Sequence, residues 1–174
     1  MDVDLAVASK RDSRDYSGAP VGEETARLIL DAGRLAGSAR NRQPCRFVVV
    51  EDEAAPAVAD AVYRSGNVLD AGLVVVIVVT PGGNLVDFDA GRAAQNMMLA
   101  GWAEGVASCP NGISDAEGLA RSLGIEPPER AVVVLTFGPP RTPRDPGRRS
   151  AERWSDRANR LPLDALVRHV GDEG

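Results

Sequence analysis

The chain has 174 residues and a formal net charge of −5, and it is 44% hydrophobic, 26% charged and only 4% aromatic, which is typical of one globular domain with an aliphatic core. The acidic balance argues against nucleic-acid binding, and two cysteines, Cys45 and Cys109, are too few for a disulfide framework or a zinc motif. The N-terminus lacks a signal-peptide layout and the longest apolar run, 71–79, is far shorter than the roughly 20 residues of a membrane helix, so we expect a cytoplasmic protein with no membrane partner.

The first elements are a helix and a strand. Pro20 and Gly22 mark the start of a helix in the stretch 17–37, where apolar residues recur every three or four positions. The β-branched stretch 46–51, RFVVVE, predicts a strand.

The middle of the chain continues this alternation. A short helix is predicted over 53–64, broken or started at Pro56. The continuous β-branched run 73–80 predicts a central strand that is buried on both faces. The longest helical candidate is 87–108, with Asp87 as its N-terminal cap.

The last elements are predicted over 114–124, 130–138 and 162–170. The first is a helix capped by Ser114 and stopped by Gly124, and the second is another buried strand. The third is a short helix with one apolar face, which is unstable alone and must dock on its own core or on another subunit. This order of elements predicts an α+β or α/β layered sandwich.

The sequence lacks the residues that several kinds of active site require. No G-x-G-x-x-G follows a strand and no P-loop motif occurs. The single histidine, His169, is interpreted as a cation at a helix end, which leaves neither a Ser-His-Asp triad nor a metal site. Cys45 has no evident base partner. An enzyme with no catalytic side chain and no metal is one in which a cofactor carries the reaction.

The stretch 38–45, SARNRQPC, joins the first helix to the first strand and is unusually polar for such a connection. It is either a solvated turn or a loop that lines a ligand. Amide side chains carry both donors and acceptors, so the Asn and Gln of this stretch are able to hydrogen-bond a ligand.

Several stretches, in order along the chain, resemble the FMN-dependent nitroreductase family. KRDSRDYSGAPVGEET is similar to the family's opening motif, and SARNRQPCRFVVVED to the end of its first helix and its first strand. DAGRAAQNMMLAGWAEGVASCPNGI is similar to its central helix and following loop, LGIEPPERAVVVLTFGPP to a later helix and strand, and NRLPLDALV to its tail.

This resemblance implies an α+β nitroreductase fold, with a mainly antiparallel central sheet flanked by helices and a domain-swapped C-terminal arm. The core would span 1–140, and the arm, 141–174, would pack on the partner subunit. It also implies a homodimer with FMN at the interface.

The resemblance further implies the chemistry. NAD(P)H would reduce a small planar acceptor, a nitroaromatic, quinone or enone, in a ping-pong cycle, with hydride transfer carried by flavin N5. The alternative is a non-catalytic member that binds flavin or another small ligand. The implied cofactor-binding residues are Lys10, Arg11, Asp12, Arg14, Ser38, Asn41, Gln43, Asn111, Gly112 and Arg160.

Arg11 and Arg14, with Lys10, would hold the FMN phosphate, ribityl chain and pyrimidine edge, because a guanidinium binds a phosphate in bidentate fashion. In the family a backbone N–H at the position of Asn111 and Gly112 faces flavin N5. Lys10 and Asp12 depart from the family motif, which has Arg and Ser at these positions, and this departure favours the non-catalytic alternative.

Overall fold

The computed structural model describes residues 1–171, so the last three residues of the predicted arm lie outside the described residues. Two compact units are present: Arg11–Asp145 forms one, and Met1–Lys10 together with the chain from Pro146 onward forms the other. Within residues 1–171 no helix is both long and apolar enough to cross a membrane.

The larger unit is built on an antiparallel sheet of four strands in the order β1-β2-β4-β3. The strands are β1 Cys45–Val50, β2 Leu73–Val79, β3 Ala107–Asn111 and β4 Arg130–Gly138. The three strands predicted from β-branched runs are confirmed, and β2 is central with six successive buried residues.

Five helices flank this sheet: α2 Glu23–Arg34, α3 Ala55–Asp60, α4 Gly66–Leu69, α5 Val86–Ala103 and α6 Ala116–Leu123. Alternate side chains of β2 enter two separate cores. Val75 and Ile77 pack in the core that contains residues of α2 and α5, whereas Val74 and Val76 pack in the core that contains residues of α3, α4 and α6. Because a strand buried on both faces alternates its side chains between them, the fold is a layered α+β sandwich, as predicted.

The smaller unit contains α1 Val3–Ser9, α7 Ala151–Asp156 and two short 3-10 turns. The Asp2 carboxylate caps α1 by accepting from the Leu5 backbone N–H at 2.7 Å. The Trp154 indole donates to the Pro146 carbonyl at 2.8 Å. Neither helix was predicted, because helices of seven and six residues are too short to show a helical period.

Four predicted details are wrong. The segment 162–170 forms only a 3-10 turn at Leu163–Ala165, because an isolated stretch this short does not hold helical hydrogen bonds without packing. The Asp87 side chain does not cap α5, which begins at Val86; Asp87 lies in the first turn and pairs with Arg130.

The third and fourth corrections concern the cap of α6 and the end of α5. Asp115, not Ser114, caps α6, and its carboxylate accepts from the Gly118 N–H at 2.8 Å. The predicted stop at Gly124 is confirmed, since Gly124 has a left-handed backbone with φ 64°. The prediction extended the long helix to 108, but α5 ends at Ala103 and strand β3 follows it.

Candidate functional site

The basic segment 11–14 lies along the outer edge of β3. Asp12 forms a parallel bridge with Ser108, and the Ser13 N–H donates to the Ser108 carbonyl at 3.0 Å. Ser13 is buried while Asp12 and Arg14 are exposed, as alternation along an extended chain requires. The segment therefore covers part of an edge strand and directs charged side chains outward.

Behind this segment, four buried side chains form an amide–hydroxyl network: Tyr16, Asn67, Asn111 and Thr136. Thr136 on β4 is its hub. Its hydroxyl lies 2.9 Å from the Tyr16 hydroxyl and accepts from the side-chain amides of Asn67 at 2.9 Å and Asn111 at 3.2 Å. The network joins the segment that follows 11–14 to the end of β3, where Asn111 lies.

The polarity of this network is fixed by backbone carbonyls. The Asn111 amide nitrogen donates to the carbonyls of Cys109 and Val134, each at 3.2 Å, so the Asn111 side-chain oxygen faces Asn67 and accepts from it at 2.9 Å. This arrangement leaves the Asn67 side-chain oxygen buried and, among residues 1–171, without a hydrogen-bond partner. A second buried atom in the same condition is the Ser108 hydroxyl, next to Asp12.

Tyr16 is completely buried, and its hydroxyl also donates to the Thr136 carbonyl at 3.1 Å. Burial raises the pKa of the Tyr16 hydroxyl well above its ordinary value, and the hydrogen bond with Thr136 opposes this only in part. The charge of Arg14 also lowers this pKa and that of Asp12 raises it. Tyr16 is therefore a neutral structural partner of the segment rather than an acid or base.

Gly112 follows the network at the exposed end of β3. Its carbonyl accepts from the Tyr63 backbone N–H at 3.2 Å, and a Cβ added at Gly112 would lie 3.1 Å from the Tyr63 ring. The Asn111 side chain points inward to the network, so only the backbone of 111–112 is presented at this position.

The polar loop, residues 38–43, has an unusual backbone. Three of its non-glycine residues, Arg40, Asn41 and Gln43, have positive φ values of 54°, 55° and 50°. The Ser38 hydroxyl accepts from the Gln43 backbone N–H at 2.9 Å, and the Arg42 guanidinium donates to the Gly82 carbonyl. Part of the polar content of the loop thus maintains its own shape, while the side chains of Asn41 and Gln43 remain exposed.

Two of the predicted residues on this loop, Ser38 and Gln43, line a cavity of about 470 Å³. Apolar side chains of Leu30 and Phe47 contribute to the lining, and the carboxyl group of Asp89 on α5 does so as well. The loop therefore borders a mainly apolar cavity, and it is not surrounded by solvent.

The structure places eight of the ten predicted residues in two clusters of the larger unit. Arg11, Asp12 and Arg14 share the edge of β3 with Asn111 and Gly112, whereas the polar loop precedes β1 at the opposite edge of the sheet. Three strand spacings separate these edges, about 14 Å. The remaining two predicted residues, Lys10 at the end of α1 and the exposed Arg160, belong to the smaller unit.

Sequence reasoning missed the network residues Tyr16, Asn67 and Thr136. A lone Thr within the apolar run of β4 was the available signal, because a polar side chain in the buried part of a strand needs a partner. Asn67 follows a turn-like stretch and carries no comparable signal.

Comparisons with known proteins agree with this architecture. The profile of the Nitroreductase family matches residues 7–82 and 82–139. A protein from Archaeoglobus fulgidus named as an NADH dehydrogenase/NAD(P)H nitroreductase is 29% identical over 169 residues, which is 85% of this chain and 96% of that protein.

Solved structures extend the match to the whole chain. A nitroreductase from Desulfovibrio desulfuricans in complex with FMN is 25% identical, with a TM-score of 0.83 over 98% of both chains. A nitroreductase family protein from Clostridium difficile 630 shares the fold, with 23% identity and a TM-score of 0.82 over 98% of this chain and 99% of that one. The chain described here belongs to the nitroreductase family of oxidoreductases.

Proposed function

We propose that this protein is an FMN-dependent oxidoreductase that uses NAD(P)H to reduce a small planar acceptor, such as a nitroaromatic, a quinone or an enone, in a ping-pong cycle. The observation that carries this proposal is the shared fold, over 98% of the chain, with a nitroreductase in complex with FMN. The name of the Archaeoglobus fulgidus relative supports NAD(P)H as the electron donor.

The chemistry of the side chains fits FMN. Arg11 and Arg14 offer guanidinium groups for a dianionic phosphate, and the exposed amides of Asn41 and Gln43 offer paired donors and acceptors for a flavin ring edge. Two buried oxygen atoms, on Ser108 and Asn67, have no hydrogen-bond partner among residues 1–171 and lie behind the basic segment and the end of β3. Such a group costs about 1–3 kcal/mol, and a functional role is one of the physical reasons for which a protein retains it.

We assign the binding roles as follows. Arg11, Arg14 and Lys10 would hold the phosphate, ribityl chain and pyrimidine edge, and Arg160 would add a further cation to the phosphate. The backbone of Asn111 and Gly112 would face the ring, since the Asn111 side chain is engaged inside the protein. Asp12 would lie beside these cations and limit their net charge.

The position of the two clusters supports a homodimer. The basic segment and the polar loop lie at opposite edges of one sheet, about 14 Å apart by strand spacing alone. A flavin that contacts both would be shared most simply between the basic segment of one copy and the polar loop of the other. This proposal also places the exposed apolar residues of the C-terminal segment, among them Leu163 and Val170, against a partner.

When bound, FMN supplies a ring that accepts a hydride and passes electrons to the acceptor. The protein's own part would be to bind and orient the ring, to leave one ring face open to planar substrates and to exclude bulk water from the other. This role requires no general acid or base. Apart from Asp12 and Ser38, the predicted members of the site are cations, amides and backbone groups.

A non-catalytic flavin-binding role is the second candidate, favoured by the exposed carboxylate of Asp12 between Arg11 and Arg14. Like charges near a phosphate weaken its binding. Asp12→Ser would then tighten FMN binding and leave turnover absent.

The decisive experiment begins with a visible absorption spectrum of the purified protein before and after addition of FMN. We expect bound flavin that NADH or NADPH bleaches under anaerobic conditions and that a quinone re-oxidises. Arg14→Ala should weaken FMN binding, whereas Arg121→Ala on exposed α6 serves as the matched control. Failure to bind FMN would refute the proposal, and bound flavin that neither nucleotide bleaches would favour the non-catalytic role.

A further inference from the structure

The polar loop holds a backbone that its own residues do not favour. A left-handed conformation costs a non-glycine residue about 1 kcal/mol. Asn accepts this conformation readily, but Arg40 and Gln43 are ordinary residues with φ values of 54° and 50°. A segment with such a cost keeps one conformation only when the surrounding structure holds it there.

The support comes from the first turn of α5. The Asp89 carboxyl group is almost fully buried, with 4% of the residue exposed, and it accepts a hydrogen bond from the Ala39 backbone N–H at 3.0 Å. Its other oxygen pairs with the Arg92 guanidinium at 3.5 Å. A buried carboxylate is tolerated only with such partners, and the helix N-terminus adds a favourable dipole.

Arg92 contributes a second contact to the start of the loop. A Cβ added at Gly37 would clash with the Arg92 guanidinium, so Arg92 packs directly against the backbone of Gly37. The guanidinium is also 5.8 Å from the centre of the Phe88 ring. Asp89 and Arg92 therefore form one unit on α5 that contacts residues 37 and 39.

We propose that Asp89 is a positioning residue for the flavin site: its carboxylate, held by Arg92, fixes the polar loop in the strained conformation that presents Asn41 and Gln43 to FMN. The role of the loop toward FMN rests on the proposed function. The fixing of the loop by Asp89 is a property of the protein without cofactor, so the two parts are tested separately.

The first test is limited trypsin digestion of the cofactor-free protein, because the loop contains two cleavage sites, Arg40 and Arg42. Asp89→Ala removes the acceptor for the Ala39 N–H and the partner of Arg92, and Asp89→Asn keeps an acceptor but removes the charge. We expect cleavage at the two loop arginines to accelerate most in Asp89→Ala and less in Asp89→Asn. Cleavage at Arg121, on α6, should not change.

The second test is FMN affinity, measured by quenching of flavin fluorescence at a temperature below the melting transition of every variant. If release of the loop leaves about one molecule in ten binding-competent, the apparent Kd rises about tenfold in Asp89→Ala. Asp87→Asn is the matched control: Asp87 lies in the same first turn but is exposed and pairs with Arg130. Its Kd should stay within about twofold of the wild type.

Each outcome is decisive. Selective loop cleavage together with weaker FMN binding supports the proposal. Unchanged loop cleavage, equal acceleration at Arg121, or faster loop cleavage with an unchanged Kd each overturns it. A wild-type protein that binds no FMN refutes the proposed function instead, and the digestion pattern still decides whether Asp89 fixes the loop.

Discussion

The hydroxyl of Tyr16 offers a direct test of the amide–hydroxyl network, through the substitution Tyr16→Phe. The ring is completely buried against Gly138, where an added Cβ would lie 3.0 Å from it, and Phe preserves that packing. The substitution removes only the bonds to the Thr136 hydroxyl and carbonyl. The Asn67 and Asn111 amides still donate to the Thr136 hydroxyl, so the substitution does not leave this hydroxyl without a hydrogen-bond partner.

The Tyr16 hydroxyl has a single proton to donate, so the expected loss at neutral pH is that of about one hydrogen bond, about 1 kcal/mol in the free energy of unfolding. For a chain of this size that corresponds to a fall in Tm of about 2–4 °C. A much larger loss would indicate that the phenol ring itself is misplaced by the substitution.

The stability difference between the wild type and Tyr16→Phe should change sign at alkaline pH. Burial raises the pKa of Tyr16 in the folded protein, whereas in the unfolded chain a tyrosine loses its proton near pH 10. The stability contributed by this group is fully present below about pH 10 and is lost as the pH rises toward the folded pKa, by about 1.4 kcal/mol per pH unit. Tyr16→Phe lacks this loss, so its stability should equal that of the wild type near pH 11 and exceed it above.

Urea denaturation at a series of pH values from about 8 to about 11 measures the difference. Other alkaline groups titrate in both proteins and cancel in the comparison. Tyr63→Phe, at an exposed ring, controls for the loss of a tyrosine as such. If the Tyr16→Phe and wild-type curves remained parallel over this range, the assignment of Tyr16 as a buried neutral phenol would be refuted.

Three further changes test other parts of the structure. Thr136→Val should cost about 2 kcal/mol or more, because it leaves the amides of Asn67 and Asn111 short of an acceptor; urea denaturation measures this, and a cost below about 0.5 kcal/mol would contradict its role as hub. Gly33→Ala should lower the free energy of unfolding by about 1–3 kcal/mol, since the new Cβ would lie 2.8 Å from Met97 and 2.9 Å from Phe47. Its control, Gly91→Ala in α5, meets nothing within 4 Å and should raise stability by up to about 1 kcal/mol in the same thermal melts. Arg160→Ala should weaken FMN retention, and an unchanged Kd would remove Arg160 from the proposed site.

Much of the fold could be predicted because its main elements carry strong local signals. The strands over 73–79 and 130–138 are long β-branched runs, and α2 has a clear apolar face. β3 lacks such a signal, since its sequence ASCPN contains small residues and Pro110. It is a strand because it pairs with β4 at an edge of the sheet, where a missing N–H is tolerated.

The C-terminal segment shows the opposite error. Leu163, Leu166 and Val170 follow a helical spacing, but all three are exposed and only a 3-10 turn forms. Apolar periodicity predicts a helix only where a surface exists to receive the apolar face. That surface cannot be read from the segment itself.

For the candidate site, the sequence indicates which segments take part but not which of their atoms are presented to a ligand. The order of motifs along the chain predicts a flavin site in the segments 10–14, 38–43 and 111–112, but a motif does not tell which atoms of a residue are presented. Asn111 shows this. Its amide nitrogen donates hydrogen bonds to Cys109, Val134 and Thr136, so the residue presents its backbone and not its side chain.

The polar loop makes the general point about why such sites are hard to derive from local sequence. Ser38 and Arg42 look like ligand-binding residues, yet their side chains bond to the loop itself and to Gly82. The conformation that leaves Asn41 and Gln43 exposed depends instead on Asp89, fifty positions away from Ala39 along the chain. A local pattern names the residues that can bind a ligand, but it is the buried contacts from a distant helix that decide which of them are free to do so.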